Sequence, residues 1–278
     1  MTGCDTHVHV IGEAARYPMV EGRHYTPGPA SVAQLQAHLQ RQALDSAVII
    51  QPSVYGTDNR CLLDALADMK GAARGVAVPD RAVSAATLQA WHVQGVRGIR
   101  INLESAGQAQ AAALAQELSH WAPRIAGLGW HLQVYAPLQA VVEGMNEAGP
   151  LPVPVVLDHF ALWNDVAEEA GLRQAVADKL ARGEVYIKLS ASYRVPLAAR
   201  ELKALALHWL QLRPDRLLWA SDWPHTNREP GRHRLEVSAY RAIASQQLVQ
   251  EREGWLASPE ARRQVLVDNP SRLYGFGA

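Results

Sequence analysis

The chain has 278 residues, 48% of them hydrophobic, and 27 basic side chains against 27 acidic ones. That supplies the core of one large domain, and zero formal net charge leaves no global field to attract nucleic acid or an anionic membrane. No run reaches the ~18 apolar residues of a membrane span, no basic-then-apolar leader is visible, and Cys4 and Cys61 build no disulfide framework; a cytoplasmic protein is expected.

Taken in chain order, the first apolar run, 6–10, reads as a strand with His7 and His9 on one face. An irregular segment, 11–29, follows with Arg16, Tyr17, Arg23, His24 and Tyr25. Helical patterns are predicted over 31–43, 59–69, 85–94, 110–125, 138–146, 166–181 and 198–212, with Ser31 and Asp58 placed as N-caps. The strands between them are predicted at 47–51, 75–78, 98–102, 131–135, 155–158, 185–189 and 217–220. Eight strands alternating with helices, with no linker or repeat to divide residues 1–278, predict a single-domain (β/α)8 TIM barrel. An open doubly wound sheet is the competing architecture, but no G-x-G-x-x-G follows the first strand.

On a barrel, the C-terminal strand ends converge on one face. Seven of the eight ends carry His7 and His9; Gln51 and Ser53; Arg100 and Asn102; Tyr135; Asp158 and His159; Lys188 and Ser190, with Ser192, Tyr193 and Arg194 beyond; and finally Asp222. Unpartnered, such groups in a core would cost several kcal/mol each. Structural readings stay open for three of them: Asp158 as a helix cap, Lys188 as the partner of a barrel carboxylate, Arg194 as a solvated rim residue. Asp222, facing three histidines, is the hardest to read that way. A carboxylate to activate water and imidazoles around a developing oxyanion make a hydrolytic site, with or without a metal. Arg100 and Arg194 add forked donors suited to carboxylates. The loop 223–230 contributes His225, Thr226, Asn227 and Arg228 to the same face.

Several stretches resemble one family. They are Asp5–Val10 (DTHVHV), Tyr25-Thr26-Pro27, 51–60 (QPSVYGTDNR), 74–78 (RGVAV), 95–102 (GVRGIRIN), 128–135 (LGWHLQVY), 153–159 (VPVVLDH), 188–195 (KLSASYRV) and 218–225 (LWASDWPH). In this order they resemble the amidohydrolase superfamily, in its branch of 2-pyrone-4,6-dicarboxylate lactonases. The resemblance implies hydrolysis of a lactone of the pyrone, muconolactone or sugar-acid type. By its pattern Asp222 is the general base, and His7, His9 and His159 surround and polarise the carbonyl. Tyr25, Ser53, Arg100, Tyr135 and Arg194 would hold the substrate.

Metal-using relatives add a histidine where this chain has Tyr135, a poor zinc ligand. His131, about 13 Å deeper on the same face of that strand, reads as a packed core residue. The expectation is therefore a site without cofactor. The alternative is a zinc-dependent hydrolase or decarboxylase of a small organic acid, with His7, His9 and Asp222 as ligands. A non-catalytic binder of organic acids is a third reading, and it has no use for the base. The chain departs from the dicarboxylate pattern at 103–107 (Leu-Glu-Ser-Ala-Gly), where further basic residues are expected, and at Phe160–Trp163, which reads as a bulky apolar wall. Together they point to a substrate with one carboxylate, or to a sugar or aromatic-ring-derived lactone, and the missing clamp at 103–107 predicts better turnover of a monocarboxylated lactone than of pyrone dicarboxylate.

Overall fold

Helical and strand-forming runs alternate along the chain, and the strands pair in almost the order in which they are made. The structure, a computed structural model, describes residues 1–104, 110–164 and 166–277. Its strands are β1 (Cys4–Val8), β2 (Thr26–Pro27), β3 (Ser46–Ile50), β4 (Ala73–Ala77), β5 (Val96–Asn102), β6 (His131–Tyr135), β7 (Val155–Leu157), β8 (Val185–Leu189), β9 (Leu217–Trp219) and β10 (Val237–Ser238). Eight of them form one sheet in the order β1-β3-β4-β5-β6-β7-β8-β9, every pair parallel. The ends meet just past the strands. Asp222 N donates to the His7 carbonyl at 3.1 Å and His9 N to that of Trp223 at 2.8 Å, and Val8 bridges Trp223. The expected (β/α)8 barrel is the fold.

The strands were legible because parallel strands covered on both faces read as unbroken apolar runs; every residue of β3 is buried. Cys4, Val48, Ile50, Val76, Val156 and Leu218 point into the barrel as one cluster, against which Tyr274 and Phe276 pack. The alternate residues, such as Ala47, Ile49 and Ile187, join the larger core beneath the helices.

Those helices are α1 (Val32–Arg41), α2 (Arg60–Asp68), α3 (Ala85–Val93), α4 (Ala111–Ile125), α5 (Leu138–Ala148), α6 (Ala170–Ala181) and α7 (Ala199–Leu212). Ser31 caps α1 in a capping box, its Oγ accepting from Gln34 N at 3.3 Å while Gln34 Oε1 accepts from Ser31 N at 2.8 Å. The cap of α2 falls at Asn59 instead of the expected Asp58, without a side-chain cap bond. The Asn59 amide is used elsewhere, clamping Val78 through bonds of 2.9 and 3.0 Å, and Asp58 takes the Arg60 amide at 3.2 Å. Beyond β9 the chain forms α8 (Ser245–Trp255), α9 (Pro259–Arg263), a π-helical turn (Gln264–Asp268) and α10 (Asn269–Tyr274), none of them foreseen.

The two short strands position the site. β10 pairs in parallel with β2, and Thr26 Oγ1 donates to the Arg234 carbonyl at 2.7 Å. Tyr240 donates to the Gly28 carbonyl. The irregular segment after β1 and the one after β9 are thereby tied together across the barrel mouth.

Candidate active site

A pocket opens at the C-terminal end of the barrel. It is lined by His9, Tyr25, Ser53, Arg100, Glu104, Tyr135, His159, Arg194 and Asp222. Every residue expected to act on substrate lines it except His7, which lies fully buried beneath.

Asp222 is centred there by two different sets of neighbours. Its Oδ2 accepts from Tyr193 Oη at 2.7 Å and from Arg194 Nε at 2.8 Å. Its Oδ1 faces the Nε2 atoms of His7, His9 and His159 at 3.6, 3.8 and 3.9 Å. No hydrogen bond reaches that buried oxygen among the described residues. Burial alone would raise the carboxyl pKa, but the charged Arg194 guanidinium beside it holds it well below the usual range. Arg194 is thus occupied at Nε by the expected base, and its Nη2 leans toward Thr226 at 3.3 Å.

Beneath lies a second carboxylate. Asp158 stands at the N-cap of the short turn His159–Leu162 but its side chain makes no cap bond; it is buried against Lys188 Nζ at 3.3 Å, His7 Nδ1 at 3.2 Å and Gln133 Nε2 at 3.0 Å. Lys188 also donates to Gln133 Oε1 at 2.7 Å, so its structural reading, partner of a barrel carboxylate, is what the geometry shows. Asp5 is a residue that the sequence reading quoted but gave no role. Its Oδ1 takes the backbone amides of Ser221 and His7 at 3.0 and 3.3 Å, and its Oδ2 faces His38 Nε2 at 3.2 Å. It locks the first strand to the last just under the site.

The imidazoles are neutral. Burial pushes His9 and His159 down to about 4 and His7 well below its ordinary value. His9 Nδ1 donates to the Ile50 carbonyl at 2.8 Å, which leaves Nε2 with a lone pair. His7 Nε2 lies 3.3 Å from it. On its far side, His7 Nδ1 is 3.3 Å from Lys188 Nζ and 3.2 Å from Asp158 Oδ1. Two tautomers satisfy these distances. With Lys188 donating to Nδ1, His7 donates to His9 and one chain of hydrogen bonds runs from Lys188 to Ile50. With Nδ1–H donating to Asp158, both Nε2 lone pairs converge, in the manner of metal-binding histidines fixed by a carboxylate and a carbonyl.

The second tautomer fits a divalent ion. His7, His9 and Asp222 form a buried donor group with separations of 3.3, 3.6 and 3.8 Å. Ligands of a tetrahedral zinc lie about 3.3 Å apart for bonds of about 2.05 Å. Arg194, paired with Asp222 at 2.8 Å, competes with such an ion for the carboxylate.

Backbone strain marks the same place. His159, Phe160, Ala161 and Leu162 have φ of 50, 53, 55 and 50°, and Ala191, Asp222 and His225 have 48, 61 and 68°. Side chains seldom adopt that left-handed region, and all seven residues follow β7, β8 or β9. Such clusters are typical of functional sites. The turn after β7 aims His159 into the pocket, where Ser190 Oγ meets its Nδ1 at 2.9 Å. It also turns Phe160 away from the pocket. The expected apolar wall is absent: Phe160 packs on Trp209 and Trp255 at 5.9 and 5.1 Å, Trp163 on Trp209 at 5.2 Å, and Phe160–Trp163 contribute nothing to the lining.

Glu104 lines the pocket as the departure at 103–107 implied, while Ser105, Ala106 and Gly107 lie outside the described residues. His24, Thr226, Asn227, Arg228 and Arg241 complete the lining. Arg241 carried no signal, because it sits 19 positions beyond Asp222 and is brought to the site by tertiary contacts, the β2–β10 pairing and a backbone bond to the His225 carbonyl at 2.9 Å. His131 is fully buried as expected, its ring 5.1 Å from that of Tyr274.

The chain was compared with known proteins. It is 33% identical to a 2-pyrone-4,6-dicarboxylate hydrolase of Comamonas testosteroni, over 97% of this chain and 89% of that protein. It is 27% identical to a 4-sulfomuconolactone hydrolase of Rhizobium radiobacter, over 98% and 89%. A solved structure from Pseudomonas putida, provisionally described as a 2-pyrone-4,6-dicarboxylic acid hydrolase, superimposes with a TM-score of 0.81 at 30% identity, covering 100% of this chain and 98% of that one. The amidohydrolase family model matches residues 4–276. With that match spanning the barrel and every residue of the pocket, the chain belongs to the amidohydrolase family.

Proposed function

We propose that the protein hydrolyses the cyclic ester of a carboxylated lactone, with Asp222 as general base and without a required metal. The relatives named for lactone hydrolysis match 97–98% of the chain, which supports the reaction class. The observation that carries the assignment is Asp222 Oδ1: ionised, buried, free of hydrogen bonds among the described residues and facing the pocket histidines.

A water molecule bound at Oδ1 gives its proton to the carboxylate as its oxygen attacks the lactone carbonyl carbon. The carbonyl π pair moves onto oxygen. In this reading Ser190 Oγ donates to His159 Nδ1, 2.9 Å away, and the hydrogen then carried by Nε2 is the donor for that oxyanion. His9 accepts at Nε2 and donates only to Ile50, so it shapes the floor beside Asp222. Collapse of the tetrahedral intermediate breaks the ring C–O bond, and the leaving oxygen takes the proton back from Asp222. Arg100 lines the pocket with Nη1 on the Gln51 carbonyl at 3.0 Å and Nε without a partner among the described residues, and serves as the donor to a ring carboxylate. Tyr25, Ser53 and Tyr135 border the ring, and Arg194 holds Asp222 by one edge while lining the pocket.

A second reading is favoured by the donor spacing at Asp222. In it His7, His9 and Asp222 hold zinc, which when bound polarises the carbonyl and acidifies water. A panel of mono- and dicarboxylated lactones, followed by acid release at fixed pH, tests the reaction; no turnover across the panel would contradict it. Metal content separates the readings. The metal-free one expects no stoichiometric zinc and full activity after chelation, and about one zinc per chain with activity lost on removal and regained on return would overturn it.

A further inference from the structure

The pocket contains a cation that the proposed reaction does not use. Arg241 lines it opposite Arg100: Arg100 stands on β5, the fourth strand of the barrel order, and Arg241 belongs to the segment following β9, the eighth. The Arg241 guanidinium is half-buried, yet no carboxylate pairs with it among the described residues. Its contacts are the Thr226 carbonyl, which accepts from Nη1, and the face of Tyr193 at 5.0 Å. Arg194 stands over the same ring at 5.4 Å, with its own charge already committed to Asp222. Exposed Arg228 adds further positive charge to this side.

The side chain is also held ready. Arg241 N donates to the His225 carbonyl at 2.9 Å, and the preceding Tyr240 is tied to Gly28. Burial and the neighbouring Arg194 both work against its charge. A pre-placed cation, short of counter-charge and facing a substrate pocket, is suited to an incoming anion.

Building on the lactonase reading, we propose that Arg241 is a specificity-determining residue that seats a second anionic group of the lactone, across the pocket from the group held by Arg100. The preferred substrate then carries two negative charges. This reverses the monocarboxylate preference expected from 103–107, because the second basic group is supplied by the segment after β9.

The test compares wild type with Arg241→Gln and Arg241→Lys on lactones that differ by one carboxylate. A binding arm uses benzene-1,3-dicarboxylate against benzoate as non-reacting probes, read by calorimetry. In Arg241→Gln we expect KM for the dianionic lactone to rise at least tenfold more than for the monoanionic one, with kcat little altered. The dicarboxylate probe should lose its advantage over benzoate, and Arg241→Lys should restore part of both. Equal losses for both lactones, or losses confined to kcat, would assign Arg241 a purely structural role at Tyr193 and Thr226 and overturn the proposal. So would equal affinity of wild type for the two probes. If no lactone is turned over but the probe preference exists and depends on Arg241, the reaction reading fails and the anion seat stands.

Discussion

At the scale of single residues, the site is a matter of which charge has which partner. Asp222 and Asp158 are both buried carboxylates, but Asp222 keeps one buried oxygen without a hydrogen bond among the described residues, whereas Asp158 is closed in by Lys188, His7 and Gln133. That difference suits Asp222 to the proposed role of base and Asp158 to that of a support. Lys188 is fully buried with its pKa lowered by burial against the pull of Asp158. Lys188→Met should therefore destabilise the fold by about 3–5 kcal/mol, the usual cost of stranding one partner of a buried pair. The double variant with Asp158→Asn should recover part of it. Urea unfolding of the three proteins checks this, and a loss below about 1 kcal/mol in the single variant would contradict the pairing. The sequence placed both residues at strand ends but left their pairing open, since pairing depends on which strands face each other across the barrel.

At the scale of elements, the strands were readable and their surroundings were not. β6 and β8 lie where expected, and the other barrel strands shift by one or two residues at an end, because apolar runs mark a strand's centre better than its limits. The segment after β9 was unreadable for a physical reason. β10 has two residues, and its place is set by pairing with β2, more than 200 positions earlier in the chain, and not by any local periodicity. Arg241 was missed with it. α8 also lacks a clear apolar stripe, burying Arg252 alongside Leu248 and Trp255. Gly98 shows a different constraint on an element. A Cβ there would fall 2.4 Å from His131 Cε1 in a fully buried ring. Gly98→Ala should cost about 1–3 kcal/mol through overpacking, seen as a lowered unfolding midpoint, and unchanged stability would show that the β5–β6 contact is looser than described.

At the scale of the whole molecule, the barrel holds the buried groups of the candidate site in neutral or paired form, and this links stability to pH. His9, His159 and His225 have folded pKa values of about 4, set chiefly by burial, against about 6.5 when unfolded. Between those values the unfolded chain binds more protons, so stability rises with pH there and is lost as pH falls from about 6.5 toward 4. Each imidazole contributes roughly 3 kcal/mol to that loss. Unfolding at pH 4.5 should therefore require several kcal/mol less than at pH 7, and a flat profile would mean that these rings are not buried neutral. At every scale the proposed function rests on Asp222, placed by barrel closure with one buried oxygen free of hydrogen bonds among the described residues, as the group that activates water for lactone hydrolysis. The most direct test is the turnover of Asp222→Asn on the best lactone of the panel, with folding verified by circular dichroism. The account expects a folded protein with kcat lowered by at least about 100-fold; a folded variant turning over at near the wild-type rate would contradict it.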